Sequence, residues 1–326
     1  MEIMHFRTKA ISYNLVFLIL FLPNIIIGQN YTLIGDRAFG TLGGETYPLL
    51  SKVNNRIIIG GNTPYTGING DRTEISCSTN PSDFDVWILM LDESLNIAWD
   101  KTIGGLMRDE IHGLEFISID TIVLTGETFS DSSCDIRAIS RGGSDLWFTM
   151  LDSSGNKLLV NRYGSSNGDK GGRLVRSSNK DYLIFGGSGG GISGDKTTPG
   201  YGGMDFWLVK TDSIGNKLWD QTYGGVSNES TIFQNDYFVQ ECSNSTLILG
   251  GRTMSFQSGT ITASGYGLWD AWITKTDNLG NQLWDKMYGG NGTDAFCIVS
   301  NYQMVLSFLV LQALNLEVLF PIPDVI

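Results

Sequence analysis

Histidine is nearly missing from this 326-residue chain: His5 sits near the N-terminus and His112 stands alone in the sequence. Catalysis that pairs a histidine with serine, cysteine or a metal therefore has little to draw on. No G-x-S-x-G, H-E-x-x-H, P-loop or EF-hand pattern occurs. The glycine-rich string GGSGGGISGD, residues 186–195, precedes no helical pattern that would seat a phosphate, so it reads as an inter-strand loop. The four cysteines, Cys77, Cys134, Cys242 and Cys297, form no C-x-x-C pair, which excludes the usual zinc spacing. Charge is sparse at 17%, and acids outnumber bases 34 to 22, giving a net charge of −12. Such a surface repels phosphate backbones and anionic bilayers, so nucleic acid is not an expected partner.

One apolar run, residues 11–27, follows the basic pair Arg7 and Lys9. Asn14, Pro23 and Asn24 interrupt it, and Gly28 precedes Gln29. This is the layout of a cleaved secretory signal, residues 1–28, rather than of a spanning helix. The mature protein is expected to be secreted, extracellular or at the cell surface, with the periplasm as the alternative, and with no stable membrane insertion. Export permits disulfides. Cys77 and Cys134 each fall shortly before a repeat tryptophan, so they either bridge neighbouring units or remain free thiols.

What the chain has in quantity is glycine, 41 residues, together with 11% aromatics, a turn-rich and β-leaning composition. It also repeats itself. DFWLVKTDSIGNKLWDQTYGG at 205–225 returns as DAWITKTDNLGNQLWDKMYGG at 270–290, and in weaker form at 85–105 and 145–165. The leading tryptophans Trp87, Trp147, Trp207 and Trp272 are spaced 60, 60 and 65 residues apart. A period of this size means stacked or radially arranged units. An acidic residue recurs four positions beyond the last small residue of each closing turn: Glu45, Asp109, Asp169, Glu229 and Asp294. Five units therefore begin within the chain.

Each unit reads as four short strands joined by glycine turns. In the third strand both alternating faces are apolar, Trp87, Leu89 and Leu91 against Val86, Ile88 and Met90. Side chains alternate across a strand, so the sheet is covered on both sides. Blades of a propeller are covered in this way by their two neighbours. The expectation is an all-β propeller of about 60-residue, four-stranded blades, spanning residues 29–303. Four blades are nearly complete and a fifth is partial, so the ring is truncated or incompletely closed. Residues 31–39 resemble the last strand of a blade and are expected to pair with the C-terminal strands. The turn between strands three and four, DSIGN at 212–216 and its copies, uses an aspartate to bind amides and a glycine for positive φ. Leu95 replaces that glycine in the first unit, which predicts a strained or altered turn.

Residues 304–326 leave the register and carry no glycine. Permissible codons in another frame restore an apolar strand, a small pair and a serine-glycine loop there. A frameshift is the expectation, with a genuine amphipathic tail as the alternative.

The repeat pattern D-x-W-x-x-K-x-D-x-x-G-N-x-x-W-x-x-x-Y-G-G, with the loop GISGDKTTPGYGGMDFW at 191–207, resembles the repeats of secreted and surface proteins of Bacteroidota. The resemblance implies type IX secretion cargo, although the C-terminal sorting domain of that group is not found here. D-x-x-G followed by tryptophan also partly matches quinoprotein propellers, but the turn threonine of that group is missing. Asp-boxes of sialidases are spaced differently.

The five repeated acids are the sharpest site candidates. A ring of carboxylates would hold a cation such as Ca²⁺; the plainer reading is that each acid binds the amides of its own turn. No other cofactor is implied, and no catalytic residue. The tryptophans read as packing residues rather than a sugar platform. Recognition belongs to the connections between strands two and three, residues 62–83, 130–144, 188–204 and 252–267, because loops on a rigid scaffold carry function. The expected function is a non-catalytic scaffold binding protein or carbohydrate. The alternative is a propeller enzyme of quinoprotein or glycosidase type.

Overall fold

The computed structural model describes residues 4–7, 16–19, 36–41, 44–64, 67–78, 80, 82–230, 237–242, 244–300, 307–311 and 316–319. Within it, four antiparallel sheets follow one another, each with its strands in sequence order. Unit 1 is Thr46–Val53, Arg56–Pro64, Phe84–Leu91 and Ile97–Ile103. Unit 2 is Asp109–Ser118, Thr121–Thr128, Asp145–Asp152 and Lys157–Tyr163. Unit 3 is Asp169–Arg176, Tyr182–Ser188, Asp205–Thr211 and Lys217–Tyr223. In unit 4 the first strand comes in two pieces, Glu229–Ser230 and Phe238–Glu241, before Leu247–Thr253, Asp270–Thr276 and Gln282–Tyr288. Among the described residues there is no helix. First strands pack against first strands of the next unit, which makes them the inner edges of propeller blades.

The third strands form the core, because both of their faces are covered. Residues Val86 to Leu91 are all buried, and Phe206, Trp207, Leu208 and Val209 are fully so. The apolar clusters run between units: Ile58, Val86 and Ile88 of unit 1 pack with Ile111, Phe116 and Trp147 of unit 2. Phe206 of unit 3 stacks on Trp272 of unit 4 with centroids 5.5 Å apart. Polar clamps join the outer strands. Trp99 Nε1 donates to the Ser153 carbonyl at 3.0 Å, and the Tyr223 hydroxyl donates to the Gly280 carbonyl at 2.7 Å.

The hairpin turns between strands three and four follow the sequence reading. Asp212 Oδ1 accepts the amides of Ile214 and Asn216 at 3.0 and 2.8 Å. Gly155, Gly215 and Gly280 take φ of 80°, 77° and 83°. Leu95 keeps the same turn at φ 63°, with Asp92 still accepting the amides of Ser94 and Asn96. The turn is thus strained rather than reshaped, since left-handed backbone crowds a Cβ.

The chain ends depart from expectation. Asp36–Arg37 pairs with Met4–Arg7, which also pairs with Val16–Ile19. The anticipated pairing of residues 31–39 with C-terminal strands is not made by this strand; residues 31–35 lie outside the described residues. Ala295–Ser300 begins a further three-stranded sheet, with Ser307–Leu311 and Leu316–Leu319. The residues beyond 304, out of register with the repeat, still supply strands in the order a fifth unit requires.

Candidate functional site: buried acids and a Glu-His-Glu-Tyr cluster

Strand directions put the second-to-third connections and the turns between units at one end of the array. Each connection folds alike. Bridges Asn69–Arg72, Ser133–Ile136, Ser193–Lys196 and Ser258–Ile261 close the same small loop in every unit. The last residue of each bridge plugs the interior: Arg72, Ile136, Lys196 and Ile261 are all nearly inaccessible. Burial, opposed by nearby carboxylates, lowers the Lys196 pKa to about 8. The amides of Asp71, Asp135, Asp195 and Thr260 donate to the carbonyls of Gly40, Gly104, Gly164 and Gly224, at 3.0, 3.1, 2.7 and 2.9 Å. Every connection is therefore pinned to the turn that precedes its unit. A disulfide between Cys77 and Cys134, Cα atoms 6.4 Å apart, ties the first two connections together.

The aspartates after the second tryptophan position were not singled out in the sequence, yet they organise this end. Asp100, Asp220 and Asp285 accept the amides of Thr73, Thr197 and Thr262 at 2.9, 2.9 and 3.0 Å. The same carboxylates accept Nε1 of Trp87, Trp207 and Trp272 at 3.0, 2.9 and 3.1 Å. The repeat tryptophans are thus buried anchors and present no stacking face. Unit 2 has Val160 in place of the aspartate, and Trp147 Nε1 turns to the Glu110 carbonyl at 3.0 Å.

The repeated acids each bind the turn four residues back. Glu45, Asp109, Asp169, Glu229 and Asp294 accept the amides of Thr41, Gly105, Ser165, Gly225 and Gly290, at 3.1, 2.6, 2.6, 3.0 and 2.8 Å. Among the described residues no three of these acids come within 4.8 Å of one another. Asp109, Asp169 and Glu229 each face a second buried aspartate instead, at the start of the preceding third strand. Burial pushes Asp85 up to about 7, helped by the charge of Asp109, itself raised by burial to about 6. Asp169, opposite Asp145, rises to about 6 for the same reason. Glu229 rises to about 7 through burial and the charge of Asp205. Oδ1 of Asp85, Asp145 and Asp205 has no hydrogen-bond partner. Burial thus favours the protonated form in each pair, and each pair sets the third strand of one unit against the first strand of the next.

A different group breaks the repeat. Glu110 and His112 lie on the first strand of unit 2, and Glu127 lies directly across from Glu110 on the second. Unit 3 has Lys170, Gly172 and Gly187 at these places. His112 occupies a bulge, between the registers Ile111–Gly126 and Gly113–Thr125. Bulges redirect side chains next to functional sites. His112 Nδ1 lies 3.1 Å from the hydroxyl of Tyr237, which comes from unit 4. Its Nε2 lies 3.4 Å from Glu110 Oε2 but makes no hydrogen bond. Arg108 Nε donates to the other oxygen, Glu110 Oε1, at 2.5 Å. Burial works against the charge of Glu110, but His112 and Arg108 hold it below the usual carboxylate range. Burial raises Glu127 despite His112 and Ser144, and it raises Tyr237. The histidine that stands alone in sequence therefore has two carboxylates and a phenol around it. Comparing the units with one another shows the departure, because only unit 2 carries ionisable groups at all three places.

No protein-family model and no curated protein matches the sequence. Solved structures do. A protein of unknown function from Dyadobacter fermentans superposes with a TM-score of 0.51 at 13% identity, covering 88% of this chain and 82% of its own. A Trypanosoma rangeli sialidase in complex with sialic acid gives 0.45 at 7% identity, over 88% of this chain and 46% of the sialidase. The β-propeller domain of the Trilobed protease from Pyrococcus furiosus gives 0.35 at 9%, over 85% and 70%. The chain is an all-β repeat protein of the propeller class. The fold it shares with the Dyadobacter protein leaves activity to be argued from the residues.

Proposed function

We propose that this chain is a non-catalytic scaffold, secreted or held at the cell surface, that captures a protein partner on the end bearing its second-to-third connections. The observation that carries this reading is a rigid face with exposed aliphatic tips. Ile68 and Ile192 on the connections, and Leu106, Met107 and Val226 on the adjoining turns, are each at least half exposed. The backbone beneath them is pinned turn by turn. Rigid loops with apolar tips cost little entropy on binding, and exposed apolar surface marks interaction sites. The repeat tryptophans are buried, so the stacking platform a carbohydrate would use is missing from them. The Cys77–Cys134 bridge suits an oxidising compartment. The basic and apolar N-terminal segment supports export, and the repeat's likeness to Bacteroidota surface proteins supports the type IX route.

A propeller enzyme is the second reading, favoured by one observation, the Glu110, Glu127, His112 and Tyr237 cluster. The test uses the full chain, immobilised and offered extracellular material, beside the variant Ile68→Asp/Ile192→Asp/Val226→Asp. A partner held by the wild type and lost by the variant, at equal melting temperature, supports the scaffold. Turnover in a glycoside panel that disappears in Glu110→Gln replaces it with the enzyme.

A further inference from the structure

Two buried glutamates directly opposite each other on paired strands are costly. Like charges at that spacing repel, and burial removes the water that would screen them. Glu110 and Glu127 are 7% and 6% exposed, and they form such a pair. The neighbouring unit avoids the problem with Lys170 and Gly187. Arg108 offsets Glu110 from one side only, and three features point to a further cation at the pair. One ligand atom from each of Glu110, His112 and Glu127 lies within 4.8 Å of the others. His112 Nε2 is buried, makes no hydrogen bond and faces Glu110 Oε2, 3.4 Å away. The other ring nitrogen is fixed by Tyr237, and Arg108 occupies the far oxygen of Glu110. Outer groups of this kind orient a metal-binding imidazole and carboxylate.

We infer that Glu110, His112 and Glu127 form a binding site for a divalent transition cation of the Zn²⁺ class. The imidazole selects against Ca²⁺ and Mg²⁺, which prefer oxygen donors throughout. Two carboxylates balance the ion's charge, and three protein ligands leave a position for water. In this site Nδ1–H of His112 donates to the Tyr237 oxygen, which leaves the Nε2 lone pair for the metal. The first strands of units 2 and 4 are then joined through the ion, His112 and Tyr237. The test reads Zn²⁺ binding and melting rather than partner capture, so its failure and the failure of the scaffold reading are distinguishable.

The experiment uses the full chain without a histidine tag, stripped with chelator. Zn²⁺, Ca²⁺ and Mg²⁺ are titrated separately by calorimetry, and melting is followed in parallel. The expected result is one equivalent of Zn²⁺ bound and a melting temperature raised by about 5 °C at saturating metal, with no effect of Ca²⁺ or Mg²⁺. His112→Asn and Glu127→Gln remove the binding, and Tyr237→Phe weakens it about tenfold. Glu127→Gln without metal melts no lower than wild type, because it relieves the repulsion. The inference is overturned if the wild type shows no Zn²⁺-dependent rise. It is equally overturned if His112→Asn binds Zn²⁺ as tightly as wild type. If His112→Asn does not fold, the wild-type titration and the Glu127→Gln arm decide.

Discussion

Stability of this protein should fall as pH rises from about 4.5 to about 8, opposite to the usual behaviour of acid-rich proteins. The cause is the series of buried carboxylate pairs between units. Asp85 and Glu229 titrate at about 7, and Asp109 and Asp169 at about 6, all pushed up by burial first. In the unfolded chain these groups titrate near 4. Between those values the native state holds more protons than the unfolded state, so each added pH unit favours unfolding. The stabilisation is complete below about pH 4 and gone by about pH 8. Moving one carboxyl from 3.8 to about 6 makes about 3 kcal/mol depend on pH. The two members of a pair compete for one proton, so each pair counts once.

A lower limit also exists. Burial alone would raise Asp220, but hydrogen bonds from Lys217, Thr197 and Trp207 outweigh it and lower the pKa to about 2. The stability this group supplies is present above about pH 4 and lost as pH falls towards 2. Maximum stability therefore lies near pH 4.5 to 5, by about these two limits. Denaturant unfolding across pH 4.5 to 8 reads this directly, with a loss of at least about 3 kcal/mol expected. Asp205→Asn, which cannot ionise, should flatten part of the slope. A midpoint that is constant or rises between pH 5 and 8 would refute the argument that the pairs share protons.

Other outcomes follow from the same contacts. Trp207→Ala removes a fully buried anchor and its bond to Asp220, and should cost about 3–5 kcal/mol in denaturant unfolding; an unchanged midpoint with lost partner binding would make the tryptophan a site instead. Replacing Cys77 and Cys134 together by serine opens a 57-residue span and should cost about 4 kcal/mol, seen equally as a lower melting temperature in reductant. Gly224→Ala puts a Cβ into Asp205 Oδ1 and Glu229 Oε2, so it should destabilise by at least about 2 kcal/mol by calorimetry.

The architecture was legible because its signals are local and repeated. Alternation in residues 86–91 declared a sheet covered on both faces, and the Asp-to-Asn turns declared hairpins. Strand positions in all four units follow from those cues. Tryptophan burial was readable for the same reason. The partner of each tryptophan was not, because Asp100, Asp220 and Asp285 bind it from thirteen residues away across a hairpin. Pairing of the repeated acids with Asp85, Asp145 and Asp205 was hidden, since it joins one unit's third strand to the next unit's first. His112 looked isolated because Glu127 reaches it across a strand pair and Tyr237 lies 125 residues away. Contacts that cross units carry no periodic signature. Unit-by-unit comparison finds only where the pattern breaks. Connections expected as variable loops share one bridged loop in every unit.

Partner capture tests the central claim that the repeat builds the scaffold and the loop tips do the binding. Full-length protein and its Ile68→Asp/Ile192→Asp/Val226→Asp variant are compared on the same immobilised format, with melting temperatures matched. Retention of a partner by the wild type alone is predicted. Equal retention by both proteins, or glycoside turnover dependent on Glu110, would contradict it.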